Sequence, residues 1–484
     1  MAPKSPEIRV AKLLSVSPWG NDAEQFLLQD IRLECPLDYQ KPFSNDNKIQ
    51  LSFKLVHGRK NKGKAAQPFT TDTIKPAFSG KKICVFLCGG PGERNKPTRN
   101  GFMNYYLLEK GYWILFPDYR GTGDSSLPSL QIDAIQSLDQ SGVERVQHQI
   151  ELLRHRDIVR DCESARLCLL GQDKWTILGQ SFGTWVAMTY LSFFSEGLQE
   201  VFLTGGPAPI LQTPIKVYER LFDRVIEVTN KYYEMYSGDL TKVKRIATWL
   251  AKSGGVELQD GGGRLTAQRF LCLGRCLGNQ KNFEKLHILF GSMAADIEKH
   301  DDLLPKTREE YVKADSWRLS TRPLYAVLHE LQYCSNKGWK AGWAAQAVAK
   351  EKEQFWWVNC PLQDMVARLE SGTDEKLYLS GEMVYPFFFD TYAGLGSIKN
   401  IANAIANKEW EEDMYDLGAL KKNKVVVTAL RYKHDMYVDS KHSEETLGQI
   451  GGPVYSHEHP DFEHSAIRAH PKEVMEILFQ QRQF

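Results

Sequence analysis

Ser181 is the residue with the clearest chemistry. It stands in Gly179-Gln180-Ser181-Phe182-Gly183, between the apolar run 175–178 and a helix-compatible run reaching Tyr190. A strand, a sharp turn with serine at its apex, and a helix make a nucleophile elbow. The glycines follow from the chemistry, since side chains two residues either side of a strained serine would crowd it. The strain pushes the hydroxyl out at the carboxyl end of a sheet, within reach of a histidine. It also turns the Phe182 N–H toward a developing oxyanion. The plainer alternative is a strand-to-helix turn whose serine only caps the helix.

A serine nucleophile needs a base, and the base needs an acid to orient it. His464 lies in the last loop, before a terminal helix that starts at Pro471. Asp435 lies just past the strand-like run KVVVTAL at 424–430. Asp439 competes with Asp435 for the acid, and His457 and His459 compete with His464 for the base. A second glycine-rich turn, Cys88-Gly89-Gly90-Pro91-Gly92, follows the buried-type strand 83–87. Glycine torsions let the N–H groups of Gly89 and Gly90 point at a ligand, so this turn reads as an oxyanion loop.

These groups need elements to position them. Alternating apolar residues predict antiparallel strands over 24–39 and 48–57, and the polar, basic stretch 58–82 reads as a surface loop. Strand 112–117 leads into DYRGTGDS, where Arg120 and Asp124 would brace the loops around the site. One long helix is expected over 148–170, with Asp157, Asp161 and Glu163 as surface charges or helix-end partners. A short strand covers 201–203. Beyond Pro207 the pattern turns helical: Val217, Leu221, Val225, Val228 and Tyr232 recur at helix spacing, and Gly261 to Gly263 break the run as a loop. Strands resume at 424–430 and 453–456. Strand alternating with helix on either side of this block indicates a doubly wound α/β sheet. The expected organisation is a core first part at 1–209, a mostly helical cap at 210–405, and a core second part at 406–484. The cap would lie over the sheet and would not be an independent domain.

Composition narrows the partners. The 484 residues carry a net charge of +1, which argues against nucleic acid. The nine cysteines form no C-x-x-C pair, so they read as reduced, mostly buried thiols and not as a zinc site. The first twenty residues lack a signal-peptide apolar core, and no apolar run approaches a membrane span. A soluble cytoplasmic protein is the expectation.

Several motifs, in this order, give a resemblance. They are PLDY near Leu37, GGPG at 89–92, DYRGTGDS at 118–125, IVRDCESAR at 158–166 and GQSFG at 179–183. TGGPAP at 204–209, HDMYVD at 434–439 and EHSAIRA at 463–469 complete the set. The chain resembles the larger members of the prolyl aminopeptidase (proline iminopeptidase) family of α/β-hydrolase serine peptidases. The serine, acid, histidine chain order is the one expected of that fold. The resemblance implies an α/β-hydrolase with a large helical cap and a catalytic set of Ser181, Asp435 and His464. It implies oxyanion donors from Phe182 and from Gly89 or Gly90, and no metal or organic cofactor. One departure is Cys88, which stands where the family commonly has His or Gln before GGPG.

An N-terminal proline carries its ammonium close to the scissile carbonyl, so its pocket needs carboxylates. Glu330 in YAVLHELQY and Glu382 in GEMVYPFFF stand among aromatics, where a buried carboxylate is costly without a cation. Both stretches also resemble family segments whose glutamates bind the substrate amine. Tyr385 and its neighbours would enclose the ring. The substrate is thus a short peptide or a small molecule. The same chemistry could serve an ester or amide of a small metabolite, or acyl transfer, and a catalytically silent binding protein is a third class.

Overall fold

The computed structural model describes residues 8–18, 26–59, 67–125, 127, 130, 140–259, 262–315, 319–320, 322–371 and 375–480. A nine-stranded sheet runs through it. Its strands are β1 (Lys12–Val16), β2 (Phe26–Cys35), β3 (Ile49–Arg59), β4 (Lys82–Leu87), β5 (Tyr112–Pro117), β6 (Trp175–Gln180), β7 (Leu198–Thr204), β8 (Val426–Tyr432) and β9 (Val454–His459). The order across the sheet is β1-β2-β3-β5-β4-β6-β7-β8-β9. Pairings from β1 to β5 are antiparallel, and those from β5 to β9 are parallel. The central strands are largely apolar and buried because helices cover both faces. Every residue of β6 is buried.

The chain makes β4, steps outward to β5, then crosses back to β6 on the other side of β4. Strand order therefore reverses at β4, which opens a crevice at the carboxyl ends of β4 and β6, where such sheets bind ligands. The register sets Leu87 beside Gly179. The turn after β4 and the turn after β6 thus leave the sheet side by side. The strands β8 and β9 send their following loops to the same edge.

Helix α1 (His155–Leu170) precedes β6, and α2 (Phe182–Phe193) follows it at once. The expected single helix over 148–170 is two helices, with an earlier one at Gln140–Glu151 and an irregular break at 152–154. The acids of α1 are a second correction: Asp157, Asp161 and Glu163 are all buried. The helix lies between the sheet and its neighbours, and each acid has a cation. Asp161 takes a two-pronged ion pair from Arg120, Glu163 pairs with Arg166 and accepts from Tyr190, and Asp157 pairs with Arg160. Arg120 also donates to the carbonyls of Leu37 and Leu152, so it ties three chain segments together.

Between β7 and β8 the chain is mostly helical. Its longest helix is α3 (Pro214–Met235), which has Pro214 at its start and Thr213 accepting from the Lys216 N–H. Its buried stripe holds Val217, Leu221, Val225 and Tyr232. Helices α4 (Asp239–Ser253) and α5 (Phe283–His300) follow. The Gly-rich break adds a two-stranded antiparallel ribbon, Val256–Leu258 with Gly263–Leu265, where only a loop was expected; Gly261 itself lies outside the described residues. Edge strand β1 had no sequence expectation either. Residues 24–25 and 60–66, which belong to the expected first strand and basic loop, lie outside the described residues. No disulfide joins the nine cysteines, and all but Cys360 are buried. Among the described residues no helix is long and apolar enough to cross a membrane.

Candidate active site

Ser181 has φ 53° and ψ −126°, a strained left-handed conformation for a side chain. The turn is held from both sides. The Ser181 N–H donates to Thr204, at the end of β7, and the Ser181 carbonyl accepts from Thr184 in α2. The close packing leaves no choice at Gly183: a Cβ there would stand 2.0 Å from the Leu87 carbonyl oxygen. Residue 183 must therefore be glycine for α2 to leave the elbow against β4.

Asp435 follows β8, and one of its carboxylate oxygens accepts from the N–H groups of Tyr437 and Val438. Its other oxygen lies 2.7 Å from Nδ1 of His464. A carboxylate only accepts, so Nδ1 carries the proton and Nε2 of the neutral ring is an acceptor. Ser181 Oγ, 2.8 Å away, donates to that Nε2. Burial works against a charged His464, but Asp435, with Glu382 farther off, outweighs it and raises the imidazole pKa above its ordinary 6.5.

The rival residues have other partners. Asp439 caps the helix Ser440–Leu447 and pairs with Arg220 and Arg224 of α3. His459 stacks on Phe462 and accepts from the Asp461 and Phe462 N–H groups, and His457 lies on β9.

Gly89 lies directly against the elbow, where a Cβ would meet Gln180 Oε1 at 2.8 Å and Ser181 Cβ at 3.0 Å. Phe182, as the first residue of α2, has no carbonyl one turn back for its N–H. Gly89 and Gly90 line the same cavity as Ser181, and the Phe182 N–H directly follows the serine. Cys88 is buried, and burial, then Glu93 and Asp118, push its thiol pKa far up. A neutral thiol is no nucleophile, so Cys88 acts here as a small packing residue.

These groups open into a cavity of about 420 Å³ between sheet edge and cap, lined also by Glu93, Arg275, Tyr325, Glu382 and Tyr437. Glu382 Oε1 accepts from Arg275 at 2.8 Å and from the Tyr325 hydroxyl at 2.6 Å. Oε2 has His329 Nε2 at 3.7 Å. Burial alone would raise its pKa, but Arg275, His329 and His464 reverse this and hold the carboxyl well below the usual carboxylate range. The ring of Tyr437 meets that of His464 edge-on at 4.9 Å, and its hydroxyl donates to the Arg275 carbonyl.

Two expectations are corrected. Glu330 is not among the residues lining this cavity. Its two oxygens accept from the N–H groups of Ala344 and Ala345, which open helix α6 (Ala344–Glu351). Burial, tempered by those N–H groups, raises its pKa to about 8. Tyr385 is fully buried among the cap's aromatics, hydrogen-bonded to Ser380 and stacked on Phe387, and does not line this cavity either. Sequence reasoning overlooked Glu93, Tyr437 and the cavity arginines. Glu93 directly follows GGPG and Tyr437 lies inside HDMYVD, so a signal existed for both. Arg275 sits in the cap with no pattern to single it out.

Comparison with known proteins points the same way. A family model described as the α/β hydrolase fold matches residues 83–260. A proline iminopeptidase from Aeromonas sobria is 29% identical over 428 residues, covering 85% of this chain and 92% of that protein. A proline iminopeptidase from Aspergillus aculeatus is 28% identical over 454 residues, covering 93% of this chain and 92% of the other.

Over most of its length the chain is similar to proline iminopeptidases, and it has the α/β-hydrolase fold.

A crystal structure of a proline iminopeptidase from Mycobacterium smegmatis covers 91% of this chain and 96% of its own at 12% identity, with a TM-score of 0.38. Among the described residues no group of three or more His, Cys, Asp or Glu side chains could hold a metal ion.

Proposed function

We propose that this protein is a serine aminopeptidase that releases an N-terminal proline from short peptides through an acyl-enzyme. The reading rests on one observation: the hydrogen-bonded chain from Ser181 through His464 to Asp435 opens onto a cavity that holds the ionised carboxylate of Glu382. His464 Nε2 takes the Ser181 proton as Oγ attacks the proline carbonyl carbon. Asp435 keeps Nδ1–H aimed and steadies the imidazolium that forms. The Phe182 N–H and that of Gly89 or Gly90 stabilise the tetrahedral oxyanion, each worth about 3 kcal/mol in such sites. His464 then gives its proton to the leaving amine nitrogen as the C–N bond breaks. Water, deprotonated by the same imidazole, cleaves the acyl-enzyme and frees proline. Glu382 receives the substrate's secondary ammonium on the cap side, with Tyr325 and Arg275 holding the carboxylate in place.

The test is steady-state hydrolysis of proline-, alanine- and ester-linked chromogenic compounds by the intact protein. Proline anilide should give the highest kcat/KM among the amides. Ester cleavage without any proline amide cleavage would instead favour the metabolite-hydrolase alternative.

A further inference from the structure

The charges of the cavity do not balance. Four guanidiniums line it, from Arg99, Arg275, Arg322 and Arg468, against the carboxylates of Glu93 and Glu382. Glu382 is taken by Arg275. Glu93 is shared, with Arg322 in contact on one oxygen and Arg99 at 3.5 Å from the other. Arg468 forms no ion pair among the described residues. Among the described residues its guanidinium makes a single hydrogen bond, a long one of 3.4 Å from Nη2 to Gln180 Oε1. A substrate bearing only an ammonium would meet this excess of positive charge unfavourably.

The position of Arg468 says which charge is missing. It follows His464 by one helical turn, on the short helix Ala466–Ala469. Its partner Gln180 directly precedes the serine, and Gln180 Oε1 crowds Gly89. Arg468 therefore stands on the oxyanion-loop side of Ser181, whereas Glu382 projects from the cap. A dipeptide carries its carboxylate a few bonds beyond the scissile nitrogen and its ammonium a few bonds before the scissile carbon. Such a zwitterion bridges the serine with matching charge at both ends. Guanidinium and carboxylate also fit each other as paired donors and acceptors.

We infer that Arg468, with Arg99 beside it at the cavity rim, binds the free α-carboxylate of the departing amino acid, so that the preferred substrates are dipeptides with an unblocked C-terminus. This rests on the aminopeptidase reading and adds the leaving-group side to it.

The experiment compares prolyl-glycine with its C-terminal amide, each with the intact protein and with Arg468→Gln and Arg468→Lys. Wild type should prefer the acid by roughly tenfold or more in kcat/KM, the worth of one charge-assisted hydrogen bond. The preference should reside mainly in KM and shrink with added salt. In Arg468→Gln the acid-to-amide ratio should fall toward one, and Arg468→Lys should keep part of it. The rate of Ser181 labelling by a small fluorophosphonate reports on folding of each variant. An acid-to-amide ratio near one in wild type overturns the inference, as does an unchanged ratio in a labelling-competent Arg468→Gln. Failure to cleave either dipeptide or proline anilide would instead overturn the aminopeptidase reading.

Discussion

At the scale of single residues, burial and partner decide role. Asp435 and Asp439 stand four apart in one motif, yet only Asp435 reaches the histidine. Ser181→Ala, His464→Ala and Asp435→Asn should each lower turnover by several orders of magnitude, with combined losses far below the product. Asp439→Asn should leave turnover and the helix cap largely intact and cost about 1 kcal/mol of stability through the lost ion pairs with Arg220 and Arg224. Measured kcat and denaturant midpoints separate these outcomes. Since the pKa of His464 lies above 6.5, the acid limb of kcat/KM should fall above that pH, because the base must be neutral to act. Glu382→Gln removes a charge that supports the imidazolium, so its acid limb should move to lower pH while KM for a proline substrate rises. A limb that does not move would detach Glu382 from the reacting groups. Glu330 makes an opposite prediction. Its folded-state pKa of about 8 exceeds the ordinary 4.5. Its contribution to stability is whole below the lower value and fades as pH rises through the higher one. Glu330→Gln should therefore lose less Tm than wild type between about pH 5 and about pH 8. Its turnover should change little.

At the scale of elements, the elbow and the oxyanion loop depend on each other because β4 and β6 are neighbours in register. The two glycines that face this junction should fail differently. Gly183→Ala would drive a methyl into the Leu87 carbonyl, backbone that cannot move aside. It should cost about 2 kcal/mol or more of stability, and activity with it. At Gly89 the added methyl meets a side chain and the serine itself, so Gly89→Ala should lose activity with a much smaller change in Tm. Thermal melts beside kcat measurements test this, and equal stability losses in the two variants would contradict it. The helix preceding the elbow shows where pattern reading fails. Its acids look like a solvated face, but Arg120 from the loop after β5, with Arg160 and Arg166 one turn along the same helix, lets them be buried.

At the scale of the whole molecule, the helical block between β7 and β8 is stitched to the sheet through the site. Arg220 and Arg224 of α3 reach Asp439, and the Tyr437 hydroxyl reaches the Arg275 carbonyl. Gly92 leaves room for Leu324 and Tyr325 against the oxyanion loop. Cap and core so joined should unfold together. Calorimetry should show one transition whose calorimetric and van't Hoff enthalpies agree. Two resolved transitions would mean that the cap holds its own core.

The sequence by itself determined the central strands of the sheet, the elbow and the order of serine, acid and histidine. Such features are local: apolar runs of strand length, glycines where a Cβ has no space, and reactive residues just past strand ends. What the sequence could not decide is which carboxylates face the substrate. Glu330 and Glu382 both stand among aromatics, but one meets the N–H groups of a helix start and the other meets Arg275 and Tyr325. Those partners lie up to 107 positions away in the chain. The charge of a buried group is set by what folding brings to it, and only the tertiary structure supplies that.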